Sequence, residues 1–238
     1  MLAKEAKSNL IFILILIATF SIACQDQAFH VDVNNQHAPT SLAEIHVIQL
    51  PAPDLDGATS LEETLAERRS VRNFQDEPLS QSQIGQLLWA AQGITHPAEY
   101  RTAPSAGALY PLEIYTATED GLFHYTPQEH SLTQVLEGDL RSRLYEAALE
   151  QESVREAPLV IVITGIYART IAKYGEDRAP LYVHLEAGHA AQNILLQAVA
   201  LGLGAVPIGG FYEDQIKEAL KLPKEQTPLY LIPVGQPE

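Results

Sequence analysis

The 238-residue chain has one cysteine, Cys24, so no intramolecular disulfide can staple it and the rest of the protein has no thiol nucleophile. Bases are scarce: 15 Lys and Arg stand against 30 Asp and Glu, a formal net charge of −15. That balance repels a phosphate backbone and excludes nucleic acid as a partner. No internal repeat occurs, and no G-x-G-x-x-G follows a strand pattern, so nothing marks a resident Rossmann dinucleotide site. Glu186 and His189, at i and i+3 with His184 nearby, invite a metal reading. A di-iron centre needs a second Glu-x-x-His from another helix, and the chain has none. No metal is therefore expected, and these side chains read as buried, hydrogen-bonded core polars.

Apolar runs are short except at the start. Lys4 and Lys7 precede LIFILILIATFSIA at residues 10–23, and Cys24 follows. A basic head, an apolar run and a small residue before a cut site describe a secretory signal over 1–24. Ser21-Ile22-Ala23-Cys24 resembles the lipobox of bacterial lipoproteins, in which the cysteine is lipidated; the alternative is an uncleaved anchor. Either places the protein on the exported side of a membrane, and Gln25 after the cysteine points to the outer membrane where the cell has two. Residues 25–58 are polar and broken by prolines, as a tether would be, with IHVIQL as an optional edge strand. The domain spans 59–238.

The stretch from Tyr182 to Phe211 organises that domain. Up to about Leu201 it is apolar on nearly every face, which predicts a central core helix, and Gly202 and Gly204 end it. Ala-Val-Pro-Ile-Gly-Gly-Phe then offers small residues against which a flat ligand can lie. Elsewhere, Ser60 caps a helix over LEETLAERRS and Ser80 caps QSQIGQLLWAAQG. LEIYTAT and GLFHYT form a hairpin turning at Glu119-Asp120-Gly121. A helix over about 140–151, a buried strand at 159–165, a helical piece IYARTIAKYG, a helix YEDQIKEALKL and a strand PLYLIPVG complete the chain. This is an α+β fold with helices packed on a mixed sheet.

Three of the 15 basic residues fall within five positions, in Arg68-Arg69-Ser70-Val71-Arg72. Guanidinium forks match phosphate oxygens in bidentate geometry, and the serine adds a donor. RRSVRNF, RTAPSAGALYPLEIY, KYG and EAGHAAQNILLQAVALGLGAVPIGGF, in this order over about Leu61 to Gln236, resemble the nitroreductase superfamily, and within it the SagB/ThcOx-type oxidases and dehydrogenases. The resemblance implies a mainly antiparallel sheet flanked by helices, and an intertwined homodimer with FMN at its interface. It implies that Arg68, Ser70 and Arg72 contact the ribityl and phosphate groups and Arg69 the ring region. Pro104, Ser105, Ala106 and Gly107 would reach the flavin from the partner subunit, and Pro207, Ile208, Gly209 and Gly210 would lie along the ring.

In azoline-oxidising relatives a Lys-Tyr pair abstracts a proton beside the flavin, and Lys173-Tyr174 resembles it. Oxidation of a heterocycle needs such a base while the flavin takes a hydride. The chain departs from those relatives at Asp177-Arg178-Ala179-Pro180-Leu181, and it lacks the basic cluster that many carry after the last strand. The expected protein is an exported FMN oxidoreductase acting on a small or peptide-derived substrate. The alternative is a non-catalytic flavin- or ligand-binding module on the same fold.

Overall fold

A computed structural model of the chain describes residues 46–238. The expected signal, the expected lipobox cysteine and the expected tether up to residue 45 lie outside the described residues. The described residues form seven strands and seven α-helices. The strands are β1 (Val47–Gln49), β2 (Leu112–Thr118), β3 (Gly121–Thr126), β4 (Ser131–Glu137), β5 (Leu159–Gly165), β6 (Gly204–Ala205) and β7 (Thr227–Gly235). The helices are α1 (Leu61–Glu67), α2 (Gln81–Gln92), α3 (Arg141–Ala147), α4 (Glu152–Glu156), α5 (Tyr167–Tyr174), α6 (Ala179–Ala200) and α7 (Glu213–Ala219). One sheet takes the order β1-β4-β3-β2-β5-β7-β6, and its strand pairings are antiparallel.

β5 shows how the sheet divides the interior. Its side chains alternate by the two-residue period of a strand: Leu159, Ile161 and Ile163 enter one core with residues of α2 and α6. Val160 and Val162 enter a second with residues of α3, α4 and α7. Helices therefore cover both faces of the strand, which accounts for its unbroken apolar run.

The hairpin expected at Glu119-Asp120-Gly121 is present, with Gly121 at φ 147°. β1 lies inside the stretch read as tether: it pairs with β4 at the sheet edge, and Leu50 beyond it is buried. β4 itself was not anticipated from the sequence. The helix expected over 140–151 is instead the two short helices α3 and α4, with Leu149 and Glu150 at positive φ between them.

α6 begins at Ala179, with Pro180 in its first turn, where a missing N–H costs nothing. It ends in a Schellman motif: Gly202 sits at φ 72°, its N–H bonds Val199 C=O at 2.9 Å, and Leu203 N–H bonds Ala198 C=O at 2.8 Å. The helix is not buried all round. Leu181 and Leu185 are about half exposed, and the exposed Gln192 continues their stripe.

Candidate functional site

α1 stops at Glu67, three residues short of the sequence expectation, because the chain beyond it is drawn to the sheet. Arg68 caps the helix, its N–H bonding Thr64 C=O. Ser70 then makes a parallel bridge to Ala205, and Val71 N–H bonds Ala205 C=O at 3.1 Å. The approach is tight: a Cβ placed on Gly204 would come within 2.6 Å of Val71. Arg69, Ser70 and Arg72 are exposed. Among the described residues no carboxylate pairs with Arg68, Arg69 or Arg72. In so acidic a chain, three adjacent arginines without a carboxylate suit an anion from outside.

From Ala205 the chain runs back along β7. Val206 N–H bonds Pro233 C=O at 3.2 Å, and Ile208 exchanges backbone bonds of 2.8 and 3.0 Å with Leu231. Ile208 faces the core, whereas Gly209 and Gly210 are exposed. A Cβ on either glycine would meet nothing closer than 3.7 Å, so the space beside their backbone is open. An open cleft of ≈ 370 Å³ adjoins Gly209, walled by Tyr167, His184, Phe211 and Tyr230. Arginines at one end, bare backbone in the middle and aromatic walls beside it fit a phosphate-bearing planar cofactor such as FMN.

The structure places Pro104–Gly107 elsewhere. Residues 106–108 form a 3-10 turn with Gly107 at φ 66°, and the Ser105 hydroxyl accepts the Tyr110 N–H at 2.9 Å. A Cβ on Gly107 would lie 2.7 Å from Lys173 Nζ and 3.0 Å from the Tyr174 hydroxyl. Glycine thus lets this loop rest on the Lys173–Tyr174 pair. Ser105 also lies beside the Glu186 carboxylate on α6 and holds its pKa down. His184, beside Gly209, precedes Glu186 by two positions, about 200° around a helix of 3.6 residues per turn. The two groups of expected site residues therefore flank α6 on opposite faces.

The expectation of buried core polars fails for His184 and His189, which are exposed; His184 Nε2 pairs with the Tyr167 hydroxyl at 2.7 Å. It fits Glu186 in burial only, since one carboxylate oxygen has no partner. Burial pushes the Glu186 carboxyl up to about 7, with Ser105 and Arg101 opposing the shift. Asn193 Nδ2 donates to Ala90 C=O at 3.0 Å and ties α6 to α2.

One polar cluster escaped the sequence reading. Glu113 on β2 accepts from His124 on β3 at 2.7 Å and from Arg169 on α5, and Arg101 donates to Gln92 at 2.8 Å. The only local signal was a charged residue at an inward-turned position of two otherwise apolar strands.

The sequence pattern described as the nitroreductase family matches residues 65–236. A nitroreductase homologue from Methanocaldococcus jannaschii is 42% identical over 195 residues, covering 79% of this chain and 96% of that protein. The FMN reductase [NAD(P)H] of Bacillus subtilis is 26% identical over 73% of this chain, which spans only 64% of that enzyme. A crystal structure of a nitroreductase homologue from Ralstonia eutropha JMP134 superposes with a TM-score of 0.73 at 31% identity, covering 81% of this chain and 90% of that one. With 42% identity across nearly the whole archaeal relative and a matching fold, the chain belongs to the nitroreductase family.

Proposed function

We propose that the protein is an FMN-dependent oxidoreductase working as a homodimer. The observation that carries this reading is the continuous strip from Arg68–Arg72 through Ala205 to Gly210, which joins three carboxylate-free arginines to open glycine backbone. Arg68, Ser70 and Arg72 would hold the phosphate and ribityl chain, with Arg69 beside them. Pro207–Gly210 would lie along the ring, the bare backbone of Gly209 and Gly210 letting their N–H groups approach it. Bound there, the flavin supplies a two-electron carrier that takes up and releases hydride.

Pro104, Ser105, Ala106 and Gly107 of a second copy would close the other side of the ring, since within one chain they sit across α6. Lys173 and Tyr174 would arrive with that loop, because Gly107 rests on them. Their part is to exchange a proton with the substrate while hydride moves to or from the flavin. The name of the Bacillus subtilis relative supports a nicotinamide donor. The Lys173–Tyr174 pair supports the finer SagB-type reading, in which a peptide-derived heterocycle is oxidised instead. The residues up to Cys24 further support an exported, lipid-anchored protein; a Cys24→Ser chain is expected to leave the membrane fraction, and one that stays would end that proposal.

The test is an absorbance spectrum of the purified chain after incubation with FMN and removal of the excess. Bands at about 370 and 450 nm mark bound oxidised flavin. Bleaching by NADPH would select the reductase reading, and bleaching only by a thiazoline or oxazoline peptide the SagB-type one. A folded, colourless dimer would sink the oxidoreductase proposal and leave a ligand-binding module.

A further inference from the structure

In the open cleft of ≈ 370 Å³ beside Gly209, the Tyr167 hydroxyl and His184 Nε2 lie 2.7 Å apart. Two elements present the pair. Tyr167 opens α5 and packs against the core, while His184 stands exposed on α6. Their rings meet edge to face at 84°, with centroids 5.8 Å apart. The other titratable groups in the cleft walls are Glu213 on α7, held by Lys217 at 2.6 Å, and Tyr230 on β7.

The hydrogen between them has a definite owner. Burial, with the Glu213 carboxylate adding to it, raises the Tyr167 pKa, so at neutral pH the phenol keeps its proton and donates it to Nε2. In the neutral imidazole the ring hydrogen then sits on Nδ1. Protonation of the exposed imidazole reverses the bond. Nε2–H now donates to the phenol oxygen, and the tyrosine's own hydrogen must turn elsewhere. The open side is the cleft that Tyr167 lines.

We propose that Tyr167 and His184 form a proton relay: the tyrosine hydroxyl passes its proton to an acceptor seated in the cleft, and the imidazolium replaces that proton from water. The relay rests on the FMN site proposed for the strip, and it gives the chain holding the cofactor a proton source of its own, besides Lys173 and Tyr174 of a second copy. Reduction of a quinone by NAD(P)H shows the balance. NAD(P)H is oxidised by loss of hydride, and the quinone gains that hydride and one proton. The Tyr167 O–H bond breaks as the quinone O–H bond forms, His184 Nε2–H reprotonates the phenol oxygen, and water recharges the imidazole.

Turnover of NADPH with menadione by the FMN-loaded full chain tests this. The wild-type kcat should fall as pH rises through one ionisation. Tyr167→Phe and His184→Gln should each lower kcat at least tenfold at pH 7 and flatten that profile, with the KM for NADPH within twofold of wild type. Imidazole in the buffer should restore His184→Ala but not Tyr167→Phe. A second readout needs no flavin: nitrogen-15 NMR of the flavin-free chain should show His184 Nε2 as the unprotonated nitrogen at pH 8, with a resonance that Tyr167→Phe shifts. An Nε2 that carries the hydrogen, or that ignores Tyr167→Phe, would overturn the relay. So would variants that keep the wild-type rate, or that lose rate with neither a changed pH profile nor rescue by imidazole, as a merely structural pair would. A flavin-loaded wild type without turnover overturns it too. A wild type that retains no FMN overturns the flavin site along with the relay, which sets that failure apart from the others.

Discussion

Glu186 is buried in the first half of α6, with the Ser105 hydroxyl at its carboxylate and one oxygen unpartnered. Its carboxyl titrates near 7 in the fold, against 4.5 for the reference group. Between those values the folded chain holds a proton that the unfolded chain has released. Stability then falls as pH rises, by roughly 3 kcal/mol across the window. Glu186→Gln keeps an acceptor for Ser105 and removes the charge. The variant should match wild type at pH 5 and exceed it increasingly up to pH 8, read by urea unfolding at fixed protein concentration. A difference that does not change with pH would show that the carboxylate is not the strained group. The arginines proposed to hold the flavin are tested at the same scale. Arg68→Ala with Arg72→Ala removes one half-buried and one exposed guanidinium, neither paired with a carboxylate, so thermal stability should hold while flavin retention is lost. Stoichiometric FMN in the folded double variant would move the phosphate site elsewhere.

Two glycines near the end of α6 separate backbone strain from side-chain crowding. Gly202 sits at φ 72° with nothing within 4 Å of a would-be Cβ. Gly202→Ala should therefore cost only the left-handed penalty, about 1–2 kcal/mol, and leave flavin binding intact. Gly204→Ala drives a methyl to within 2.6 Å of Val71 Cγ1 and 2.7 Å of its Cβ. Val71 is β-branched and cannot rotate away freely, so the segment carrying Arg68–Arg72 must move. Gly204→Ala should cost about 1–3 kcal/mol by overpacking and also weaken FMN retention. Melting temperature and flavin stoichiometry, measured on both variants, distinguish the two costs. The same elements mark what was legible in the sequence. The Ser80 cap, with Gln83 closing a full capping box, the 112–126 hairpin and the Gly202 stop are set by neighbours in sequence, so residue order reveals them. At Ser60 only half of such a box forms: Ser60 accepts the Glu63 N–H. The early end of α1 is invisible locally, because Arg68-Arg69-Ser70 would extend a helix well; pairing with Ala205, far along the chain, overrides that propensity. β4 was missed for a related reason: Thr133 and Gln134 dilute its apolar alternation, and its place comes from pairing with β1 and β3. The proposed Arg68–Arg72 anion site rests on residue type, which the sequence shows directly. The Arg101–Gln92 hydrogen bond could not be read there, since its two residues, nine positions apart on a loop and a helix end, meet only after folding.

At the scale of the whole molecule, the proposed flavin site needs two chains. The strip from Arg68 to Gly210 meets α6 on the side of His184, whereas Ser105 and Gly107 meet it on the side of Glu186 and Tyr174. A ligand lying on the strip is walled from the loop of its own chain by the helix between them, and only a second copy can bring that loop to it. The surface for such a copy is present. Leu181 and Leu185 are 47% and 50% exposed on α6, and Leu61 and Leu65 are 60% and 54% exposed on α1. Four large aliphatic side chains in water on two helices amount to several kcal/mol of recoverable burial, at about 1.5–3 kcal/mol each when fully covered. Leu181→Glu with Leu185→Glu costs a single chain little, because both positions already face solvent. In a dimer it buries unpaired carboxylates. The double variant should run as a folded monomer in light scattering, with native circular dichroism, and its FMN affinity should drop at least a hundredfold although Arg68, Arg69 and Arg72 are intact. A monomer that still holds one FMN per chain would refute the two-chain site. A dimer that persists and keeps its flavin would place the subunit contact away from this end of α6. Loss of flavin in step with loss of the dimer would tie the arginines of one chain to the Pro104–Gly107 loop of the other, which no mutation within the strip alone can do.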